Sequence, residues 1–293
     1  MITIIFMYAV LAATFTIAKQ ALNYANPYFL IAFRMTLAGT LFLGFQYLFN
    51  RKKFFINRED IWPFLKTSFF YIYLAFIPEF WALSRLSSSK VVIIYSITPF
   101  IAATFAYFLA SEKLTKIKVI GMTVGALGIV PLLITPDQAG NVTTELFSVS
   151  IAEGVLLIAV IAAAYGWFPV KKLMNKGYSL PMINGVTMLV GGLGALLTSF
   201  ALEGVFVKHV FDFGPFLFWV LLLILFANGV FYNMYGWHLR RYSFTLLSFA
   251  GFLCPLFGTF YGWAFLSEAI TWHHGASLLL IGFGLYLFYR EDR

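Results

Sequence analysis

A chain of 293 residues that is 61% hydrophobic and 11% charged, against roughly 25% charged in soluble domains, must present most of its surface to lipid rather than to water. At about 20 apolar residues per crossing, this length leaves room for roughly ten spans and for no soluble domain, so function has to sit inside the helical bundle. The net charge of +8 falls in short clusters at helix ends, which excludes nucleic acid as a partner, and the single cysteine, Cys254, excludes an intrachain disulfide and a multi-cysteine metal site, so thiol redox chemistry has nothing to stand on.

Apolar runs bounded by charge, proline and glycine predict helices over 2–22, 28–49, 62–84, 88–110, 117–135, 151–172, 180–202, 215–239, 244–266 and 273–289. The first run begins at Ile2 with no basic leader and no small-residue cleavage site before Lys19, so it reads as a retained span. Lys19 lies about three residues inside its end. In the second span Arg34 lies about seven residues, roughly 10 Å, inside the outer end. The third holds Glu79 within Pro78-Glu79-Phe80-Trp81, about five residues, roughly 8 Å, from its outer end. Pro78 opens the hydrogen-bond ladder there. An ionisable group near the middle of a span costs on the order of 2.5–3.5 kcal/mol, so each of these three needs a partner or a watery cavity. They share one depth, and two readings stand: Glu79 meets a substrate, or it pairs internally with Arg34 or Lys19.

In the fourth span Tyr95 precedes Pro99 by four residues, and in the sixth Tyr165 and Trp167 precede Pro169. Aromatic faces beside prolines at cavity depth can stack on a planar or cationic substrate. Between the fourth and fifth spans, Thr115 is placed to cap a helix, and Glu112 is expected to pin the turn. Thr271 and Glu268 occupy the same places before the tenth span. Gly121 with Gly125, and Gly258 with Gly262, have the small-xxx-small spacing of closely packed helices. The eighth span concentrates Asn228, Tyr232, Asn233, Tyr235 and His238. Asn228, Tyr232 and Tyr235 recur at i, i+4 and i+7 and share a face, which fits a cavity lining or interhelical hydrogen bonding. His238, beside Arg240, is expected at the solvent.

Lys and Arg divide unevenly between the two sides. One side collects Arg51, Lys52, Lys53, Arg58, Lys66, Lys113, Lys116, Lys118, Lys171, Lys172, Lys176, Arg240, Arg241, Arg290 and Arg293, and the other only Lys19, Arg85, Lys90 and Lys208. The richer side is cytoplasmic, which puts both termini in the cytoplasm and the long connection before residue 150 outside.

Sliding the chain on itself by 156 residues aligns Trp81 with Trp237, Leu83 with Leu239, Arg85 with Arg241, Ser87 with Ser243 and Pro99 with Pro255. The register continues through Ser111-Glu112 with Ser267-Glu268, Thr115 with Thr271 and Gly128 with Gly284. Two repeats of five helices follow, 1–136 and 151–293, joined by an external connection over 137–150. Because five is odd, the second repeat is inverted in the membrane.

The stretch from Pro99 through "SEKLT" to "GMTVGALG", its echo from Pro255 through "SEAIT" to "GFG", and the "AFRMTLAG" run around Arg34 resemble the EamA-type branch of the drug/metabolite transporter superfamily. That resemblance implies an all-α, ten-helix membrane bundle with a central cavity lined mainly by helices 1, 3, 4, 6, 8 and 9, working by alternating access. One departure is the seventh helix, which carries Gly191, Gly192 and Gly194 and has no match for Arg34.

The expected function is a secondary transporter in the cell inner membrane, monomer or homodimer, for a small cationic or zwitterionic metabolite, with S-adenosylmethionine or amino acids leading. Glu79 supplies the counter-charge, and Phe80, Trp81, Tyr95, Tyr165 and Trp167, with Asn228, Tyr232 and Tyr235, supply the walls. Arg34 and Lys19 either pair with Glu79 or meet substrate charge. An exporter of other metabolites or drugs, and a channel, are the alternatives. A channel calls for a glycine-rich filter or a ring of charges, neither of which stands here. An intramembrane enzyme is not expected, since the sequence has no HExxH, no GxSxG and no close pair of intramembrane carboxylates.

Overall fold

The computed structural model describes residues 2–86, 91, 94–113, 115–133, 150–205, 209–266 and 272–291. Its helices are α1 Ile2–Ala21, α2 Pro27–Phe49, α3 Arg58–Leu83, α4 Thr98–Ala110, α5 Lys116–Leu127 continued by Val130–Leu133, α6 Ile151–Asn175, α7 Leu180–Leu202, α8 Phe213–His238, α9 and α10 Trp272–Glu291. The ninth, α9, runs as Phe244–Phe249, a tight turn at Ala250–Phe252, and Leu253–Leu266. Among the described residues the only strand-like pairing is an isolated bridge between Ala25 and Val210.

Helix starts follow the caps written in the sequence. Thr115, Ser179 and Ser243 each accept a hydrogen bond from the backbone N–H three residues on, and Ser150 with Glu153 forms a capping box at α6. Among the described residues six helices, α1, α2, α3, α6, α7 and α8, are long and apolar enough to cross a membrane. Large side chains such as Phe108, Leu197 and Leu279 are 70–75% exposed, a surface that only acyl chains make favourable. The chain is a multi-pass membrane protein.

Two antiparallel helix pairs tie the first part of the chain to the second. At one end of the α2–α7 pair, the Tyr28 and Phe29 N–H groups donate to the Glu203 carboxylate at 2.8 and 3.1 Å. At the other end the Ser179 hydroxyl donates to Gln46 Oε1 at 2.7 Å. Between them the backbones nearly touch: a Cβ on Gly192 would stand 2.6 Å from the Thr36 nitrogen, and one on Gly39 2.5 Å from that of Leu189. The second pair, α5 with α10, closes the same way, a Cβ on Gly121 standing 2.9 Å from the Gly284 carbonyl oxygen. Gly121 and Gly125 therefore pack as their spacing suggests. Gly258 does not: among the described residues nothing lies within 4 Å of its Cβ position, and the surroundings of Gly262 lie outside the described residues.

Glu112 acts at longer range than a turn pin. Ser111 takes a left-handed conformation (φ 55°), and the following carboxylate reaches the start of α9, accepting from Phe244 N at 2.9 Å, Thr245 N at 3.4 Å and the Thr245 hydroxyl at 2.8 Å. A carboxylate there satisfies N–H groups that the first helical turn leaves unpaired. The Ser267-Glu268 and Thr271 echo, Ser87, Lys90, Lys208 and the connection up to residue 149 lie outside the described residues.

His238 is 1% exposed rather than at the solvent. The chain turns immediately after it, with Arg241 and Tyr242 N–H donating to the His238 carbonyl at 2.9 Å, which folds Tyr242 back to a ring-centroid distance of 5.6 Å from the imidazole.

Candidate functional site

Three local breaks in helix regularity border the centre of the bundle. Ser68–Tyr73 in α3 and Ile224–Phe231 in α8 wind as π-helical turns, which widen the helix by one residue and are frequent at functional sites. Their first residues are separated by the same 156 positions as the internal repeat. The Asn233 amide donates to the Asn228 and Gly229 carbonyls at 3.2 and 2.8 Å, binding this irregular stretch to the α-helical turn that follows it. The third break is the tight turn of α9 just before Pro255.

Between these elements lies a cavity of about 170 Å³, against roughly 10–15 Å³ for a single water, so polar groups on its wall can stay hydrated. Its lining comes from α1, α3, α6, α8, α9 and α4 with the residues just before it, and from one residue of α2, Arg34. The sequence-predicted residues Arg34, Glu79, Phe80, Tyr95, Trp167, Tyr232 and Tyr235 all line it.

The other four lie elsewhere. Asn228 is fully buried behind Arg34 and accepts from its Nε at 2.9 Å. Trp81 supports Arg85, whose guanidinium carbon sits 4.0 Å from its ring centroid. Trp237 and Arg241 repeat that contact at 4.4 Å, which accounts for the recurrence of both pairs. Tyr165 packs edge-on between Phe70 and Phe105, at 5.0 and 5.6 Å. Lys19 donates to the carbonyls of Leu83 and Leu86, at 2.7 and 3.2 Å, where the C-terminal end of α3 attracts a cation.

Glu79 is buried, and Tyr95 donates to its Oε2 at 2.8 Å. Among the described residues no ion pair within 4.0 Å joins it to Arg34 or Lys19. The aromatic wall is continuous: Trp167 stacks on Tyr235 at 4.1 Å, meets Tyr71 edge-on at 4.8 Å and lies 5.4 Å from Tyr232. Phe76 stacks on Tyr232 at 6.4 Å. Such a site offers one carboxylate, one guanidinium and several π faces in a water-accessible space, a set suited to binding a charged, planar molecule.

Sequence reasoning passed over Tyr8, Tyr71, Phe76 and Phe231, all of which line the cavity. Tyr71 and Ala75 precede Glu79 by eight and four residues, a helical-face spacing that points to the same wall. Tyr8 left no such signal; its hydroxyl donates to the Leu247 carbonyl of α9, a contact that depends wholly on packing.

The EamA-like transporter family matches residues 1–134 and 150–290. Over 286 residues the chain is 32% identical to the protein named S-adenosylmethionine/S-adenosylhomocysteine transporter in Chlamydia muridarum (strain MoPn / Nigg), covering 96% of this chain and 88% of that one. A protein of the same name in Chlamydia trachomatis serovar L2 is also 32% identical over 286 residues, covering 96% and 86%. A solved crystal structure matches with a TM-score of 0.76 over 100% of this chain and 96% of its own at 18% identity, a likeness of fold alone. With nearly the whole length matched, and with relatives above 30% identity across it, the chain belongs to the EamA-like transporter family.

Proposed function

We propose that this protein is a secondary carrier for S-adenosylmethionine and S-adenosylhomocysteine, working by alternating access at the central cavity. Glu79 carries the reading: it is a buried carboxylate on an aromatic wall, hydrogen-bonded by Tyr95 and with no cation within 4.0 Å among the described residues. A carboxylate so disposed attracts a sulfonium or ammonium centre, and the faces of Trp167, Tyr232 and Tyr235 suit an adenine ring. The names of the Chlamydia relatives support the same substrate.

The architecture that goes with it is ten membrane helices in two inverted repeats, 1–136 and 151–293, with 137–150 as an external connection, in the cell inner membrane with both termini cytoplasmic. Support comes from the 156-residue register, the π-helical turns that follow it and the family matches on either side of residues 135–149.

Counterflow tests the function. Purified protein in liposomes loaded with unlabelled S-adenosylhomocysteine should accumulate labelled S-adenosylmethionine transiently, with saturation and with competition by close analogues. Counterflow with amino acids alone would move the substrate to that class, and thermal stabilisation by sugar phosphates but by no cationic or zwitterionic compound would sink the reading.

A further inference from the structure

Arg34 is the cavity group that this reading leaves without a task. Its helix, α2, is otherwise turned toward α7, yet the Arg34 side chain is the one from α2 that reaches the cavity wall. It is 2% exposed, and a buried guanidinium is costly unless a counter-charge meets it. Both of its contacts are neutral: Nε donates to Asn228 Oδ1 at 2.9 Å, and the guanidinium carbon lies 5.2 Å from the Phe76 ring centroid. Asn228 is itself held in one orientation, because its amide nitrogen faces the sulfurs of Met35 and Met188 at 3.5 and 3.4 Å. These contacts aim the guanidinium, and Glu79, on the same cavity wall, acts on it only through space, with no ion pair within 4.0 Å. Lys19 is committed to backbone carbonyls, so Arg34 is the only Lys or Arg on the wall among the described residues.

We propose that Arg34, oriented by Asn228, receives a carboxylate of the transported molecule, so that the cavity grips a zwitterion between Arg34 and Glu79. The proposal rests on the reading of this cavity as the transport site. The planar fork of a guanidinium binds a carboxylate through parallel hydrogen bonds. A ligand with the cation but no carboxylate engages Glu79, the through-space counter-charge of Arg34, and brings the guanidinium nothing in return. The carrier then selects for the amino-acid end shared by S-adenosylmethionine and S-adenosylhomocysteine, and against amines.

The test is a pair of titrations of the purified carrier, with S-adenosylmethionine and with its decarboxylated analogue. Wild type should bind the analogue roughly ten- to hundredfold more weakly, the range of a hydrogen-bonded charge. Arg34→Gln should bring S-adenosylmethionine down to the level of the analogue while leaving the analogue unchanged. Asn228→Asp, which keeps the guanidinium but supplies a counter-charge from within, should collapse the ratio in the same way, and it decides the matter if Arg34→Gln does not fold. A wild type that binds both ligands equally, or variants that weaken both alike, would overturn the proposal. If wild type binds neither, the S-adenosyl reading fails separately, and methionine against 3-(methylthio)propylamine decides the carboxylate receptor: binding of methionine alone supports it, and any other result overturns it.

Discussion

At the scale of the residue, the proposed function turns on the carboxylate of Glu79. Tyr95 holds Oε2 at 2.8 Å, and an amide in its place retains an oxygen for the same hydroxyl. Glu79→Gln should therefore fold with a thermal midpoint near that of wild type while weakening S-adenosylmethionine binding by roughly ten- to hundredfold. Because no ion pair within 4.0 Å links Glu79 to Arg34 among the described residues, Arg34→Gln should not rescue it. A Glu79→Gln protein that unfolds and is restored by the second change would establish an internal pair instead. Glu79 was legible as a candidate in the sequence because a charge after a proline inside an apolar run is conspicuous. Its partner was not, since the helical period says nothing about which hydroxyl of another helix comes within reach.

At the scale of the element, helices that must be close-packed differ from those that need not be. Gly192→Ala places a methyl group 2.6 Å from the Thr36 nitrogen, and neither backbone can yield without shifting α2 against α7. Overpacking of this kind costs about 1–3 kcal/mol. Gly258→Ala meets nothing within 4 Å among the described residues and should be silent. Thermal unfolding in detergent measures both; equal midpoints for the two variants would show that the α2–α7 contact contributes nothing to stability. Both glycine pairs obey the same spacing rule, yet Gly121 and Gly125 pack closely and Gly258 does not, because a spacing defines a face of one helix and leaves open whether a second helix lies against it.

At the scale of the whole molecule, the asymmetry of fifteen basic residues against four predicts orientation. In a Cys254→Ser background, a cysteine at Asn141 should react with an impermeant thiol reagent applied to intact cells, and one at Lys52 should not. Reaction at the second site with silence at the first would reverse the topology. The same scale connects scaffold to site: the α2–α7 pair carries Arg34 on one edge and holds it against Asn228 of α8, so the part of the bundle that is most closely packed also aims the guanidinium.

Composition and the rhythm of apolar runs are enough to place this chain in lipid as a bundle of helices, because bilayer thickness and backbone hydrogen bonding in hydrocarbon admit few other solutions. The repeat register and the EamA-type motifs were equally local, being patterns along one strand of text. Only the tertiary structure decided that Asn228 stands behind Arg34 at a sequence separation of 194 residues, that Lys19 closes a helix end and that Trp81 supports Arg85 instead of facing the cavity. Those outcomes depend on the rotation of each helix about its own axis, which is set by the packing of its neighbours and not by the period of its residues.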